Sequence, residues 1–104
     1  MITSTCETIP SHQISEHLGI VCGNTVRAKH VGRDIMAGLK TLVGGEVGGY
    51  TEMLQESRNQ ATDRMVAQAQ AMGADAIVNV RFTTSQVAQG MSEMLAFGTA
   101  VKLA

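Results

Sequence analysis

The chain has 104 residues and a formal net charge of −1, and its aromatic side chains are limited to one Tyr and two Phe. A chain of this length is expected to form one domain, residues 1–104, with a core of small and medium apolar side chains. The scattered charges and scarce aromatic side chains argue against a nucleic-acid-binding surface, and no apolar run approaches the ~20 residues of a membrane span.

Two strands are predicted in the first third of the chain. Residues 1–12 have the pattern of a short strand and a turn, which stops at Ile9-Pro10-Ser11. Over residues 14–31, β-branched and polar residues alternate with a period of two, which is typical of a strand. Gly19 and Gly23 within this segment indicate a bulge or a neighbouring backbone that approaches closely.

A short helix and a glycine-rich loop are predicted next. After Gly32, apolar residues up to Val43 recur at helical spacing, and Asp34 in the first turn favours the helix dipole. Gly44-Gly45 ends this helix, since glycine readily takes the left-handed conformation that closes a helix. The loop, residues 44–50, then leads into a second helix.

A long helix is predicted from about Thr51 to Met72, and Gly73 stops it. Its apolar residues recur at intervals of three, four and seven, so they share one face. Because most of these side chains are Ala or Met, the element beneath the helix can approach closely. The residues of this predicted buried face are Leu54, Ala61, Met65, Ala69 and Met72, with Val66 at the edge.

Two further strands, joined by a turn that contains glycine, are predicted at the end of the chain. In the first, alternation gives one face of Ala76, Val78, Val80 and Phe82. In the second, the two faces are Leu95, Phe97, Val101 and Leu103, and Met94, Ala96, Gly98 and Ala100. One apolar face fits the long helix, and the other, flat and little charged, favours a contact between subunits. The predicted order of elements is β, α, long α, β, β, which indicates an α+β fold with the long helix packed on an antiparallel sheet.

The glycine-rich loop is the first candidate for a binding site. Backbone N–H groups freed by glycine ahead of a helix N-terminus can bind a phosphate. However, the loop follows a helix rather than a strand, lacks the Lys and Ser/Thr of a P-loop, and contains Glu46, which would repel an anion. We therefore predict a connection that lets two backbones pass closely.

Metal binding is the second candidate. No pair of potential ligands has the CxxC or HxxxH spacing that places two of them on one site. The sequence therefore predicts no cofactor and no metal site within one chain, and leaves open a site shared across subunits. No motif orders a nucleophile beside a base, so no catalytic residue is assigned and an enzyme is not expected. The weak candidates for metal ligands are Cys6, His12, Cys22 and His30.

The protein is expected in the cytoplasm. The first residues have neither a basic start nor an apolar centre, so they lack the pattern of a signal peptide. Cys6 and Cys22 match no redox spacing, and cysteines of a cytosolic chain are usually reduced.

Arg33 and Arg81 are candidates for binding a small anion. An arginine among glycine and apolar residues needs a carboxylate or phosphate partner. We predict structural or inter-subunit salt bridges at these arginines rather than capture of a ligand. The carboxylates available as partners are Asp34, Glu46 and Glu93.

Several segments spread over the chain form one pattern. They are Leu18-Gly19-Ile20-Val21, Gly32-Arg33-Asp34-Ile35-Met36-Ala37-Gly38, Val43-Gly44-Gly45, Gly48-Gly49-Tyr50, Ala71-Met72-Gly73-Ala74-Asp75-Ala76-Ile77-Val78 and Phe97-Gly98-Thr99-Ala100-Val101. In these segments the chain resembles the YbjQ-like family of small bacterial and archaeal proteins, and the resemblance covers nearly its whole length.

The resemblance implies a β-α-β-β subunit that assembles into a ring, typically a homopentamer. The family is named for heavy-metal binding, and it supplies no established catalytic residue. Some relatives carry acidic residues where this chain has Arg81-Phe82-Thr83-Thr84-Ser85, so a metal site built on those carboxylates does not carry over. A structural or interface role is implied for Arg33, Asp34, Gly44, Gly45, Gly49 and Tyr50.

Three functions are compatible with these patterns. The favoured one is a non-enzymatic, ring-forming homo-oligomer that acts as a binding or scaffolding module, with copies of itself as its partner. The second is a heavy-metal-binding protein whose ligands, Cys22 and His30 with Cys6 or His12 of a neighbour, meet across subunits. The third is an enzyme or binder of a small anionic ligand at the subunit interface, using Arg33 or Arg81.

Overall fold

A computed structural model describes residues 1–28 and 48–104 of the chain. The elements are, in chain order, strand β1 (Ile2–Thr3), strand β2 (Ile14–Ala28), helix α1 (Gly48–Ala71), strand β3 (Ala76–Ala88) and strand β4 (Met91–Leu103). The α+β class and these predicted strands and long helix are confirmed. The short helix predicted after Gly32 lies outside the described residues, as do Gly44 and Gly45.

The four strands form one sheet in the order β1-β3-β4-β2. Strands β3 and β4 form an antiparallel hairpin, and β2 pairs antiparallel with β4. Strand β1 is parallel to β3, with Ile2 opposite Ala76. The predicted packing of a helix on a sheet is confirmed. The short strand β1 makes the sheet mixed rather than purely antiparallel, because β2 and α1 lie between β1 and β3 in the chain and no hairpin turn joins these two strands.

Helix α1 begins earlier than predicted and ends at a glycine. Its backbone is already helical over Gly48–Tyr50, which were predicted as loop because glycine is a weak helix former. At the other end, the N–H of Gly73 donates to the C=O of Gln70, and the N–H of Ala74 donates to the C=O of Ala69. These two bonds form a Schellman motif, and Gly73 has the positive φ, 78°, that the motif requires. The predicted stop at Gly73 is confirmed.

Helix α1 lies directly on strand β2, and the two backbones touch at Gly23. A Cβ atom at Gly23 would collide with the backbone C=O of Ala61 and N–H of Met65, and it would lie 2.8 Å from the Cβ of Arg64. The close neighbouring backbone predicted at this position is confirmed. The predicted bulge is found at Gly19, where φ is 133° and the register of β2 against β4 shifts.

Only the middle of the predicted helical face is buried. Ala61, Met65 and Ala69 are fully buried, as predicted. Leu54 and Met72, at the two ends of the predicted face, are 45% and 38% exposed, so the prediction is wrong for these two residues. Strands twist relative to a straight helix, so the ends of the helical stripe leave the sheet.

Polar contacts hold the helix to the strand near the end of β2. Ser57 is buried, and its C=O accepts a hydrogen bond from Oγ1 of Thr25 at 3.1 Å. The Nε of Arg27 donates to Oγ of Ser57 at 3.2 Å, and its Nη2 donates to Oε1 of Gln60 at 3.2 Å. Arg27 also lies 3.7 Å from a carboxylate oxygen of Glu56. These contacts replace apolar packing in this turn of the helix.

A β-bulge in strand β3 changes which of its residues share a face. The register of β3 against β4 shifts between Val78 and Arg81, so Asn79 and Val80 together oppose one residue of β4. Val80 consequently packs in the core beneath the helix, whereas Val78 packs in a second cluster on the opposite face. Because the extra residue reverses the alternation, the prediction of one shared face is wrong for Ala76, Val78, Val80 and Phe82.

The helix covers the face of β4 that is made of small residues. At Gly98, even a Cβ atom would lie 2.7 Å from a methyl carbon of Ile77. Leu95 and Phe97 point to the opposite face, where they are half-buried. Of the two predicted faces, the small one therefore fits the helix. The bulkier one faces away from the helix, and on it Val101 is buried against Ile9. The small face consists of Met94, Ala96, Gly98 and Ala100, all buried.

Gly23→Ala is expected to lower the free energy of unfolding by about 1–3 kcal/mol, the usual cost of overpacking, because the new Cβ would meet the helix backbone. Urea unfolding followed by circular dichroism, at one protein concentration, measures the change. Cys22→Ala is the control, since Cys22 is adjacent and exposed, and its effect should stay within about 0.5 kcal/mol. Equal stability of Gly23→Ala and the unchanged chain would contradict the backbone contact.

Asn79→Ala is expected to be less stable than Asn79→Gly by about 1–2 kcal/mol, the cost of a left-handed conformation for a residue with a Cβ. Both variants remove the same amide, so the comparison isolates the backbone at φ 54°. The control variants are Thr83→Ala and Thr83→Gly, because Thr83 lies in a regular part of the strand opposite β4. At this position the Ala variant should be more stable than the Gly variant by about 0.5–1 kcal/mol. Ala being the more stable at both positions would contradict the bulge conformation.

Candidate functional site

The chain itself covers part of the sheet face opposite α1. Residues 4–13, which we call the crossover, run across this face from β1 at one edge of the sheet to β2 at the other. The N–H of Asn79 donates to the C=O of Cys6, which docks the start of the crossover along β3. Ile9 is buried in the middle of the crossover. It packs with Ala76, Val78 and Val101.

The rest of this sheet face is open and carries apolar side chains. Ile20 is 79% exposed, although it lies inside a strand that is paired with β4. Val26 is also exposed, and Leu95 and Phe97 are half-buried beside it. We call this surface the open face. It is formed by Ile20, Cys22, Asn24 and Val26 of β2, Glu93, Leu95 and Phe97 of β4, and Arg81, Thr83 and Ser85 of β3.

The predicted salt bridge between Arg81 and Glu93 is not formed within the chain. The Nη1 of Arg81 donates to the C=O of Thr5 and to that of Val80, at 2.9 Å in both cases. Glu93 accepts a hydrogen bond from Nδ2 of Asn24 at 3.0 Å. Each of the two charged side chains is therefore hydrogen-bonded to neutral groups. Arg81 donates to main-chain carbonyls, and Glu93 accepts from the amide of Asn24. The other predicted partners, Asp34 and Glu46, lie outside the described residues.

At the β2 edge of the sheet, side chains of the helix satisfy outward backbone groups. The N–H of Cys22 donates to Oε1 of Gln68 at 2.7 Å. The C=O of Asn24 accepts a hydrogen bond from Nη1 of Arg64. Both partners belong to α1, so the helix covers this edge on either side of Gly23 and blocks pairing with a further strand there.

At the opposite edge, the outer side of β3 is free over residues 82–88. Within the described ranges, this stretch pairs only with β4, on its inner side. The N–H of Cys22 points away from β4, so Cys22 and Phe97 are opposite each other without exchanging backbone hydrogen bonds. The backbone N–H and C=O of Phe97 therefore point to the other side, toward Arg81 of β3. Alternation along β3 then turns the N–H and C=O groups of three residues outward. These residues are Phe82, Thr84 and Gln86.

A cleft of about 370 Å³ lies where the crossover meets the beginning of β2. Its polar lining residues are Glu7, Thr8, His17, Asn79 and Thr99. Ile14 and Val78 supply the apolar part of its wall. The cleft thus joins residues from the crossover and from three strands that are far apart in the sequence.

The predicted metal ligands are not brought together. Cys6 lies beyond β3 and Cys22 lies on β2, so three strand spacings, about 14 Å, separate their backbones. His12 folds back on its own turn, where its Nδ1 donates to the C=O of Pro10 at 3.1 Å. In the part of the chain that the structure describes, no three His, Cys, Asp or Glu side chains form a group that could hold a metal ion. His30 lies outside that part.

The residues with a predicted structural or interface role fall mostly outside the described ranges. Arg33, Asp34, Gly44 and Gly45 all lie there, and their predicted role stays a prediction. Gly49 and Tyr50 lie in the first turn of α1, where their backbone is helical. These two residues therefore belong to the helix rather than to a loop between two helices.

Sequence patterns predicted neither the cleft nor which side of β3 is left unpaired. Glu7, His17 and Asn79 belong to no motif and meet only because the crossover lies across the sheet. No signal in the sequence joins these residues. The edge had a partial signal, since residues 82–88 contain neither a charged residue nor Pro. Which side of that strand is unpaired depends on the order of strands in the sheet.

The residues that the structure describes define a small α+β fold, in which a helix covers one face of a mixed four-stranded sheet. A solved structure of a protein of unknown function from Pediococcus pentosaceus has this fold, with a TM-score of 0.66 at 14% identity. The match covers 100% of this chain and 98% of that one. Among the described residues, no helix is both long enough and apolar enough to cross a membrane.

Sequence comparison places the chain in a family. Residues 1–104 match the family described as "Putative heavy-metal-binding". A UPF0145 protein from Psychromonas ingrahamii is 63% identical over 103 residues, which cover 99% of this chain and 98% of that protein. A UPF0145 protein from Archaeoglobus fulgidus is 59% identical over 103 residues, with 99% and 95% covered. The chain belongs to this YbjQ-like family of UPF0145 proteins, as its sequence motifs predicted.

Proposed function

We propose that this protein is a non-enzymatic homo-oligomer, a binding or scaffolding module whose subunits join through the outer edge of β3. The free edge over residues 82–88 is the observation that carries the proposal. In the assembled state, the outward N–H and C=O groups of Phe82, Thr84 and Gln86 pair with a strand of the next subunit and continue the sheet.

A free edge of this kind is a liability for a protein that works alone. Natural sheets protect their exposed edges with charged residues, Pro, bulges or a covering element. The β2 edge has such a cover in Gln68 and Arg64. Residues 82–88 of β3 are all exposed and include no charged residue and no Pro, and the register shift in this stretch lies at its end, between Gln86 and Ala88. The contrast between two edges of one sheet supports an occupied β3 edge in the working state.

A second copy of the chain is the partner that suits this edge. The described core is built from small and medium side chains, and Met65 and Ile77 are among the largest that are fully buried. Association would bury further apolar surface, including the exposed Phe82 next to the edge. Pairing of β3 with a different surface of the next subunit is a heterologous contact, which closes into a ring when the rotation permits. The family resemblance favours a homopentamer.

The non-enzymatic part of the proposal rests on the sequence and on the relatives. No motif orders a nucleophile beside a base, and the relatives carry the name UPF0145 protein, which states no activity. A cytoplasmic location belongs to the same proposal. It is supported by Cys6 and Cys22, which are free and exposed and suit a reducing compartment.

Thr84→Pro is expected to convert the oligomer into monomers. Proline removes the outward N–H of Thr84 but leaves the inward hydrogen bonds of Thr83 and Ser85 with β4, and edge strands tolerate Pro in such positions. Size-exclusion chromatography with light scattering measures the mass, and circular dichroism checks that the fold is kept.

The control for this experiment is Thr84→Ala, which keeps the N–H group and should assemble like the unchanged chain. Gln86→Pro repeats the test at the next outward position, so the result does not depend on the folding of one variant. An unchanged chain that is monomeric at micromolar concentration would contradict the proposal. So would folded proline variants that keep the full oligomeric mass.

A second candidate function is the binding of a heavy metal ion at a contact between subunits. Cys22 is free and lies on the open face, where a neighbouring subunit could supply the remaining ligands. Thiolate and imidazole groups are the ligands that zinc and copper prefer. Cys6 and His12 are exposed and could take part in such a shared site, together with His30. The description of the family names this activity.

Elemental analysis of protein purified without a histidine tag tests the metal-binding function. A shared site predicts stoichiometric zinc, copper or nickel in the unchanged oligomer and its loss in Cys22→Ser, because the thiolate ligand is removed. Ser92→Ala, an exposed change on β4, serves as the control and should retain the metal. Unchanged protein without stoichiometric metal would rule this function out.

A further inference from the structure

The cleft between the crossover and β2 is a pocket of ligand size. Its volume of about 370 Å³ lies in the lower part of the range of about 300–1,000 Å³ for small-molecule sites. The free edge of β3 begins at Phe82, beyond the bulge that borders the cleft. The residues that line the cleft are therefore different from those of the free edge.

The polar side chains of the cleft have no partners among the described residues. Within residues 1–28 and 48–104, no hydrogen bond or ion pair engages the side chains of Glu7, Thr8, His17, Asn79 or Thr99. Asn79 and Thr99 are half-buried. Polar groups withdrawn from water are normally hydrogen-bonded, so an amide and a hydroxyl left unpaired in a cleft are available to a bound molecule.

The charge of the lining selects the class of ligand. Glu7 supplies a carboxylate, His17 is the other ionisable residue of the lining, and neither Lys nor Arg is among the described lining residues. The hydroxyls of Thr8 and Thr99 and the carbonyl oxygen of Asn79 can accept hydrogen bonds from an N–H group. Ile14 and Val78 offer a contact for a short hydrocarbon chain. This combination fits an aliphatic ammonium ion and opposes an anion.

The backbone around the cleft is irregular in three places. The bulge at Asn79, with φ 54°, turns its side chain toward the cleft, and the register of β2 shifts between Ile14 and Glu16 and again between His17 and Gly19. Bulges re-aim side chains and are frequent beside functional sites. Asn is one of the residues other than Gly that take this left-handed conformation most readily.

We infer that this cleft binds a small aliphatic ammonium ion, with Glu7 as the counter-ion and with Asn79 and Thr99 as hydrogen-bond acceptors. The probe is putrescine, and the comparison probes of equal chain length are neutral butanediol and anionic succinate. Two-dimensional amide NMR of the full chain follows each titration. Putrescine is expected to shift the signals of Thr8, Asn79 and Thr99 in a saturable way, and the other two probes are expected to leave them unchanged.

Glu7→Gln keeps the shape of the side chain and removes its charge, so it is expected to weaken putrescine binding at least about tenfold, as loss of a charge-assisted hydrogen bond does. Glu16→Gln is the matched control, since Glu16 is an exposed carboxylate on β2 outside the cleft, and it should bind like the unchanged chain. The inference is overturned if putrescine causes no saturable shift, if succinate or butanediol causes the same shift, or if both variants weaken binding equally.

Discussion

The contact of Gly23 in β2 with the helix backbone at Ala61 and Met65 sets the geometry of the described structure. Because the two backbones are in contact there, the axis of α1 lies close to the sheet. The described helix residues that are buried against the sheet are accordingly Ala, Ser and Met. The same closeness brings Gln68 and Arg64 to the outward backbone groups on either side of the glycine. One residue without a side chain therefore shapes the core and closes one edge of the sheet.

The position of the helix also explains why the other edge is bare. Helix α1 packs on β2 and β4 and scarcely reaches β3, while β1 covers only the beginning of β3. Residues 82–88 consequently have neither a helix above them nor a strand beside them in the described structure. In the described structure, the covered β2 edge cannot pair with a further strand on either side of Gly23, whereas residues 82–88 of β3 keep outward backbone groups that can.

Two of the register shifts in the sheet, at Asn79 and at Gly19, decide which residues lie on the face opposite α1. At Asn79, the extra residue moves Val80 under the helix and leaves Val78 beneath the crossover. At Gly19, the shift in β2 lies next to His17, which reaches the same cleft. Without the bulge at Asn79, regular alternation would place Val78 and Val80 on the same face of the sheet. The register of the strands brings the lining residues of the cleft together, although they come from four segments that are far apart in the sequence.

Periodicity and glycine placement in the sequence determined the type and order of the elements, the stop at Gly73 and the close approach at Gly23, because local backbone geometry leaves a local pattern. The family followed from motifs of the same local kind. The sequence could not determine the shared faces of β3, since one inserted residue at Asn79 reverses the alternation. Nor could it show that Leu54 and Met72 leave the helix–sheet contact.

Only the tertiary structure decided which edge of the sheet is covered, which face of β4 meets the helix, and which side chains share the cleft. Each of these depends on pairing between segments far apart in the chain, such as Cys22 with Phe97, or the crossover with β3. Periodicity reports how a segment repeats along its own axis. It carries no information on the neighbour that the segment will meet, because register and strand order are set by the packing of the whole sheet.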